Sequence, residues 1–403
     1  MQIISPNYIL TPDEVISDMS IAFENAIKKI APLEELKKEF PDAKITTLKK
    51  NSLLMPGLIN AHVHIEFSAN KTELSYGDFM NWLYSVIENR EDLINGCDKE
   101  CMSKAIDAML ESGITTFGAI SSHGMDLESC ANAAQNVVFF NELIGSQAVM
   151  ADTLFSDFLS RVDASKTVKR AGFYPAVAIH SPYSVHPIIL QKAVNVAKQN
   201  KLPLSAPFLE SQAEREWLEK GEGELKEFFE KYFNTSTPVT NITEFMHAFD
   251  TYPTHFTHCV QANKDELAYL TDKGHTIAHC PRSNRYLGCG RLAIEELDLP
   301  FSLATDGLSS NDSLSIFDEL RAALMLHNDI PIQELSTRLL KTVTSDAADI
   351  LGLNCGKIEV NKLADFAVVT LPEAPKRTEE LALWSILHTK KVSQLYIQGE
   401  KYV

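Results

Sequence analysis

Residues 53–64 read Leu53-Leu54-Met55-Pro56-Gly57-Leu58-Ile59-Asn60-Ala61-His62-Val63-His64. An apolar run passes through a Pro-Gly pair and ends in two histidines one residue apart. The run predicts a strand over Leu53–Asn60 with His62 and His64 at its end. Side chains alternate faces along a strand, so the two imidazoles point the same way. Two imidazoles on one face are a ready pair of metal ligands. Alone, the pattern fits a buried strand with two hydrogen-bonded histidines equally well, and the rest of the chain has to decide.

Further strands are predicted at Ile114–Ile120, Val137–Leu143, Tyr174–Ile179, Leu202–Leu209, His255–Val260, His275–Ala278 and Pro300–Ala304. Helical patterns lie between them, among them Met102–Glu111, Ile188–Gln199, Lys264–Thr271 and Leu314–His327. Eight β/α alternations over roughly 300 residues fit an α/β fold of the (β/α)8 barrel type better than an open doubly wound sheet. No GxGxxG or P-loop follows any strand, which speaks against a dinucleotide enzyme or an NTPase.

The two ends differ from the middle. Gln2–Ile4, Lys44–Leu48, Phe366–Leu371 and Gln394–Ile397 are short β-like pieces, with turn signals at Leu371-Pro372 and Gln398-Gly399-Glu400. They predict a small composite β-domain from residues 1–52 and 355–403, with the barrel, 53–354, inserted between. Glu24–Phe40 is expected to be a charged amphipathic helix. The longest charged region, Glu210–Phe233, reads as a solvated helix and, by its place after a strand, as a candidate lid.

Bulk properties exclude several classes. The chain has 403 residues, 37 basic and 54 acidic side chains and a net charge of −17. Such a surface repels nucleic acid and anionic membrane, and a small-molecule partner is the expectation. No stretch approaches the roughly 20 apolar residues of a membrane span. Met1–Thr11 lacks the basic and apolar regions of a signal peptide. The seven cysteines form no CxxC pair, which points to reduced thiols and a cytoplasmic location. An isologous homodimer is compatible with such a barrel.

Polar residues recur where the predicted strands end: His62 and His64, His180, Glu210, His258, His279 and Asp306. A barrel gathers the C-terminal ends of its strands on one face. Any one of these histidines is more often structural than functional, but their convergence is hard to explain as packing. Asp306, at the end of Leu303-Ala304-Thr305-Asp306, can hold a metal and can accept a proton from a water beside it.

With these residues in place, the chain resembles the amidohydrolase superfamily, in the branch of purine and cytosine deaminases and triazine chlorohydrolases. The resemblance rests on MPGLINAHVH (55–64), HSPYSVHP (180–187), FLES (208–211), THCV (257–260), AHCPRSN (278–284), ATDGLSSND (304–312) and GKIEVNKLADFAVV (356–369). It implies one divalent ion, Zn2+ or Fe2+, held by His62, His64 and Asp306. It implies Glu210 as proton shuttle and His258 beside the activated water. His180, Arg282 and Asn284 carry over as substrate-side residues, with Ser310 and Asn311 shaping the pocket. More finely, residues 66–92 and 208–218 are similar to bacterial deaminases of 6-aminodeoxyfutalosine, an adenine nucleoside of the alternative menaquinone pathway. Phe67, Phe79, Trp82, Tyr84 and Tyr183 are candidates to clasp its aryl group, although Phe79 and Trp82 suit a helix core as well. Arg282 would either meet a substrate carboxylate or pair with a local acid. Other purine, S-adenosylhomocysteine, methylthioadenosine or guanine deaminases would use the same residues.

One position departs from the family pattern. A histidine is expected three residues before Glu210, and Pro207 stands there. Proline has no donor atom for a metal and fits poorly inside a central strand. His258 is then the expected fourth ligand, with weaker metal affinity. The same departure keeps open a catalytically silent member that only binds a small molecule.

Overall fold

The computed structural model describes residues 1–69 and 72–403. Asn70 and Lys71, inside the 66–92 stretch, lie outside the described residues. Eight parallel strands run in sequence order around one sheet. They are β1 (Leu58–Val63), β2 (Ile114–Ser121), β3 (Asn136–Leu143), β4 (Phe173–Ile179), β5 (Leu204–Phe208), β6 (His255–His258), β7 (Thr276–His279) and β8 (Phe301–Leu303). The ring is drawn together between its ends: Asp306 N donates to His62 O at 3.1 Å, and Thr305 N to Asn60 Oδ1 at 3.1 Å. The (β/α)8 barrel is therefore present, and β1 to β3 are buried along their whole length, as strands covered on both faces must be. In the crossover from β1 to β2 lies α1 (Phe79–Glu88), capped by Asp78, whose side chain accepts from Asn81 N.

The stretch expected as one strand, Leu53–Asn60, is two. Ser52–Pro56 belongs to a different, six-stranded sheet, and β1 starts at Leu58. Gly57 is the joint. A Cβ there would lie 2.2 Å from the Thr115 side chain, and its N–H donates to Asp365 O at 2.9 Å. Only glycine lets the chain cross that closely from one sheet to the other.

The six-stranded sheet mixes both ends of the chain. Tyr8–Leu10 and Val15–Ser17 flank Ser52–Pro56 on one side, and Phe366–Thr370, Gln394–Ile397 and Glu400–Lys401 on the other. A four-stranded sheet is wholly N-terminal: Ile27–Ala31, Ser20–Phe23, Gln2–Ser5 and Lys44–Thr47. Ile4, Ile21, Phe23, Leu54, Phe366, Val368 and Tyr396 form a shared core between the two.

The amphipathic helix expected over Glu24–Phe40 is a correction. Ile27–Ala31 is a strand, and only Leu33–Glu39 is helical. Ile27 and Ala31 are buried, and their segment pairs with Ser20–Phe23. Pro32, which cannot continue a ladder, caps the short helix. The charged stretch after β5 is also more than a solvated helix. It forms α2 (Gln212–Lys220) and α3 (Glu224–Phe233), whose Trp217, Leu218, Leu225, Phe228 and Phe229 are buried. The Trp217 and Phe229 rings stack at 5.5 Å. No helix among the described residues is long and apolar enough to cross a membrane.

Candidate active site

The C-terminal ends of the strands hold the residues that the sequence placed there. His62 lies near the end of β1, and His64 just beyond it. Their rings are 5.1 Å apart, and both face Asp306 after β8: Oδ1 is 3.7 Å from His62 Nε2 and 3.5 Å from His64 Nε2. These are too long for good hydrogen bonds. His62 Nε2 and His64 Nδ1 are buried with no hydrogen-bond partner. A buried polar atom without a partner is costly and needs an explanation. One donor atom from each of His62, His64 and Asp306 lies within 4.8 Å of the others, a set of nitrogen and oxygen donors that fits a divalent ion.

The remaining bonds aim this cluster. Thr257 Oγ1 meets His62 Nδ1 at 3.2 Å, which fixes the ring and leaves Nε2 toward the centre. Asp306 Oδ2 accepts from Ser283 Oγ at 2.9 Å and Ser310 Oγ at 2.8 Å, so Oδ1 is the oxygen presented to the histidines. Ser283 was not singled out from the sequence, although it sits inside AHCPRSN between two residues that were. Burial would raise the Asp306 carboxyl, but His64, His258 and His62 hold it below the usual carboxylate range. Burial, with His64 alongside, holds His62 well below the ordinary histidine value. Burial also takes His258 down to about 4 against the pull of Asp306. Neutral imidazole is the form that carries a free lone pair.

Glu210 and His258 complete the centre. Glu210 Oε2 is 3.7 Å from His258 Nε2, and the two group with Asp306 within 4.8 Å. Burial pushes the Glu210 carboxyl well up, and the charges of Asp306 and Glu214 push it further. The two acids of one cleft are thus shifted in opposite directions, Asp306 down and Glu210 up, which is the environment of a base and an acid working together. The backbone carries strain here. Leu209, His258, Cys259 and Asp306 have φ of 47°, 70°, 51° and 59°. Left-handed conformations at non-glycine residues cost on the order of 1–3 kcal/mol each and cluster at functional sites.

Other expected residues are placed differently. Asn284 Nδ2 contacts His258 Nδ1 at 2.9 Å, so it orients that ring. The Arg282 guanidinium is taken up by Asp312, by Glu319 at 3.5 Å and by Asp318 at 3.9 Å, so it meets local acids and is not free for a substrate carboxylate. His180 Nδ1 bonds Ser184 Oγ at 2.5 Å, and its ring lies 6.2 Å from Tyr183. Trp82, on α1, donates Nε1–H to Ser309 O at 2.9 Å, which ties the helix to the loop after Asp306. Tyr84 packs 5.5 Å from Phe228, and Phe79 is buried core. Phe67 lies 6.3 Å from His64. His279 pairs with buried His327, Nε2 to Nε2 at 3.2 Å, as a structural pair. Glu66 was missed: fully buried, it accepts from the N–H groups of Ser122, His123 and Met125 and pins the loop after β2.

Pro207 sits within β5 as the register partner of Thr257. Paired residues of parallel strands share a face, so the proline ring lies beside the hydroxyl that reaches His62 and offers no donor there. Pairing of β5 with β4 covers only Leu204 and Ser205, so Pro207 falls beyond that ladder, where a missing N–H is tolerated.

Three comparisons bear on this site. The model of the amidohydrolase family matches residues 53–401. The chain is 45% identical over 404 residues to the aminodeoxyfutalosine deaminase of Nitratiruptor sp., covering 100% of both chains. It is 34% identical to the adenosine deaminase of Helicobacter pylori, over 97% of this chain and 96% of that one. The crystal structure of Helicobacter pylori aminofutalosine deaminase in complex with methylthio-coformycin superposes with a TM-score of 0.95 at 33% identity and complete coverage of both chains.

Proposed function

The chain belongs to the amidohydrolase family, and from that premise we propose that its barrel mouth is a metal-dependent site that deaminates 6-aminodeoxyfutalosine to futalosine and ammonia, a step of menaquinone biosynthesis. The chain is a hydrolytic deaminase. The observation that carries the site assignment is the gathering of His62, His64 and Asp306, and of Glu210, His258 and Asp306, within 4.8 Å, with buried imidazole nitrogens that lack partners.

His62, His64 and Asp306, with His258 as the further ligand, would hold the ion, Zn2+ or Fe2+, which supplies Lewis acidity and a nucleophilic water at neutral pH. Glu210, whose burial favours the protonated form, gives its proton to the ring nitrogen beside the amino-bearing carbon. That carbon is then open to attack, and charged Asp306 accepts a proton from the attacking water. As the tetrahedral carbon collapses, Asp306 returns its proton to the amino group, the new hydroxyl gives its proton back to Glu210, and the C–N bond breaks to release ammonia. A positioned acid/base of this kind contributes about 10²–10⁴ in rate. Asn284 holds the His258 ring. His180, Tyr183 and Trp82 are assigned to the substrate wall, where an aryl-bearing nucleoside meets aromatic faces.

Ammonia release by the metal-loaded chain from 6-aminodeoxyfutalosine, adenosine, methylthioadenosine and guanine tests the reading. The highest kcat/KM is expected for the first. Preference for adenosine would overturn the substrate. Turnover of none would overturn the active enzyme and leave the silent binder that Pro207 favours.

A further inference from the structure

Glu214 lies one turn beyond Glu210, on the first turn of α2, and is 1% exposed. Its carboxylate accepts from two backbone N–H groups: Leu209 N to Oε1 at 3.1 Å and Glu210 N to Oε2 at 2.8 Å. These are the peptides at which the chain leaves β5. Pairing with β6 ends at Phe208 opposite His258, and Leu209 turns into the left-handed region. Without Glu214, both donors would be buried and unpaired, at a cost of about 1–3 kcal/mol each.

Helix capping alone does not explain this acid. Ser211 already caps α2 by accepting from Glu214 N at 3.1 Å. In a capping box the acid three residues on bonds the N-cap N–H; Glu214 feels the Ser211 N–H as well, but its two hydrogen bonds go to residues 209 and 210. Nor does any cation among the described residues form an ion pair with it; Arg215 acts on it only through its nearby charge. The neighbouring Arg215 guanidinium is engaged by Glu219, Glu266 and Gln261 O. The fold thus keeps two carboxyls, Glu210 and Glu214, buried side by side. Burial lifts Glu214 to about 7, with the backbone N–H groups of Glu210, Leu209 and Ser211 opposing. A structure that bears such a cost beside a strained turn gains a fixed geometry there.

We propose that Glu214 is a positioning residue for catalysis: its carboxylate clamps the Leu209 and Glu210 amides and so fixes the backbone from which Glu210 reaches the substrate nitrogen. The proposal rests on the assignment of Glu210 as the proton-transferring acid. A shift of about 1 Å at such a group costs roughly 10²-fold in rate.

The test uses the metal-loaded full chain and the variants Glu214→Gln and Ser211→Ala. The amide introduced by Glu214→Gln keeps the shape of the side chain but turns a donor toward a donor. Ser211→Ala removes the helix cap and leaves the clamp. Expected for E214Q are a kcat about 10²-fold lower, a KM within about twofold, unchanged metal content, and amide exchange at Leu209 and Glu210 faster by at least about tenfold. Expected for S211A is a lower Tm with kcat within about twofold. An unchanged kcat in E214Q, or a fall shared equally by S211A, would overturn the positioning role. The exchange readout needs no substrate. Protection of both amides unchanged in E214Q overturns the clamp itself, even if the purine panel shows no turnover and the assignment of Glu210 fails.

Discussion

A seam at the N-terminal end of the barrel and the site at its C-terminal end bury the same kinds of groups and treat them in opposite ways. At the N-terminal end, Asp365, just before strand Phe366–Thr370 of the six-stranded sheet, accepts from Gln398 N at 2.7 Å and from Asn136 Nδ2, at the start of β3, at 2.9 Å. Gln398 Nε2 closes the ring on Asn136 Oδ1 at 2.8 Å. Both carboxylate oxygens and both amides of that seam have partners. At the C-terminal end, Asp306 has hydrogen-bond partners on one oxygen only, two histidines have nitrogens without any, and four residues sit in strained backbone. Satisfied polar networks rigidify a fold, and unsatisfied ones wait for a ligand. Barrels separate the two tasks between their ends, with stability at the bottom and chemistry at the top.

The largest effect should come from the top. Glu210→Gln should lower kcat by about 10³-fold or more while leaving metal content and Tm near the parent values, read by steady-state ammonia release and elemental analysis. Near-normal turnover would remove Glu210 from the role.

At the bottom the expected loss is of stability. Burial raises the Asp365 carboxyl to about 6 from 3.8, with Gln398 and Asn136 opposing. The folded protein then holds a proton that the unfolded chain has released. Its stabilising share is complete below about pH 4 and is lost as pH rises through about 6, a change of about 3 kcal/mol. Denaturation curves of the parent and Asp365→Asn across about pH 4 to 7 should differ by that step, with deaminase kcat within about twofold. Parallel curves would mean that the seam does not hold a titrating carboxyl.

Between these lies Pro207. Pro207→His should raise metal affinity by about tenfold or more, since it adds an imidazole donor beside His62. Full and equal metal occupancy in parent and variant under chelator competition would show that the fifth strand is not needed. The smallest effect is expected for Trp82→Phe. Loss of its bond to Ser309 O should raise KM a few-fold, as suits one hydrogen bond worth about 0.5–1.5 kcal/mol, with kcat little changed; an unaltered KM would take Trp82 out of the substrate wall.

Much of this was legible in the chain because its signals are local. Apolar runs at β/α spacing predict the barrel, and His62, His64, Glu210, His258 and Asp306 converge because each stands at the end of a strand. What was not legible depends on distant partners. Arg282 is claimed by acids about 30 residues away, and Asp365 by residues of β3 and the C-terminal hairpin. Gly57 hid a strand boundary that only the closeness of Thr115 reveals. Charges in Glu24–Phe40 masked a short edge strand whose Ile27 and Ala31 alone carry the burial signal. Glu214 was one acid among many in a charged run, and nothing local marks it as reaching back to the Glu210 amide.

Whether the unsatisfied top of the barrel is a metal-dependent deaminase is best decided by titrating metal-free protein with Zn2+ or Fe2+ while following ammonia release from 6-aminodeoxyfutalosine. Activity is expected to rise from near zero and level off at one metal per chain. Turnover that does not depend on added metal, or none at full occupancy, would contradict it.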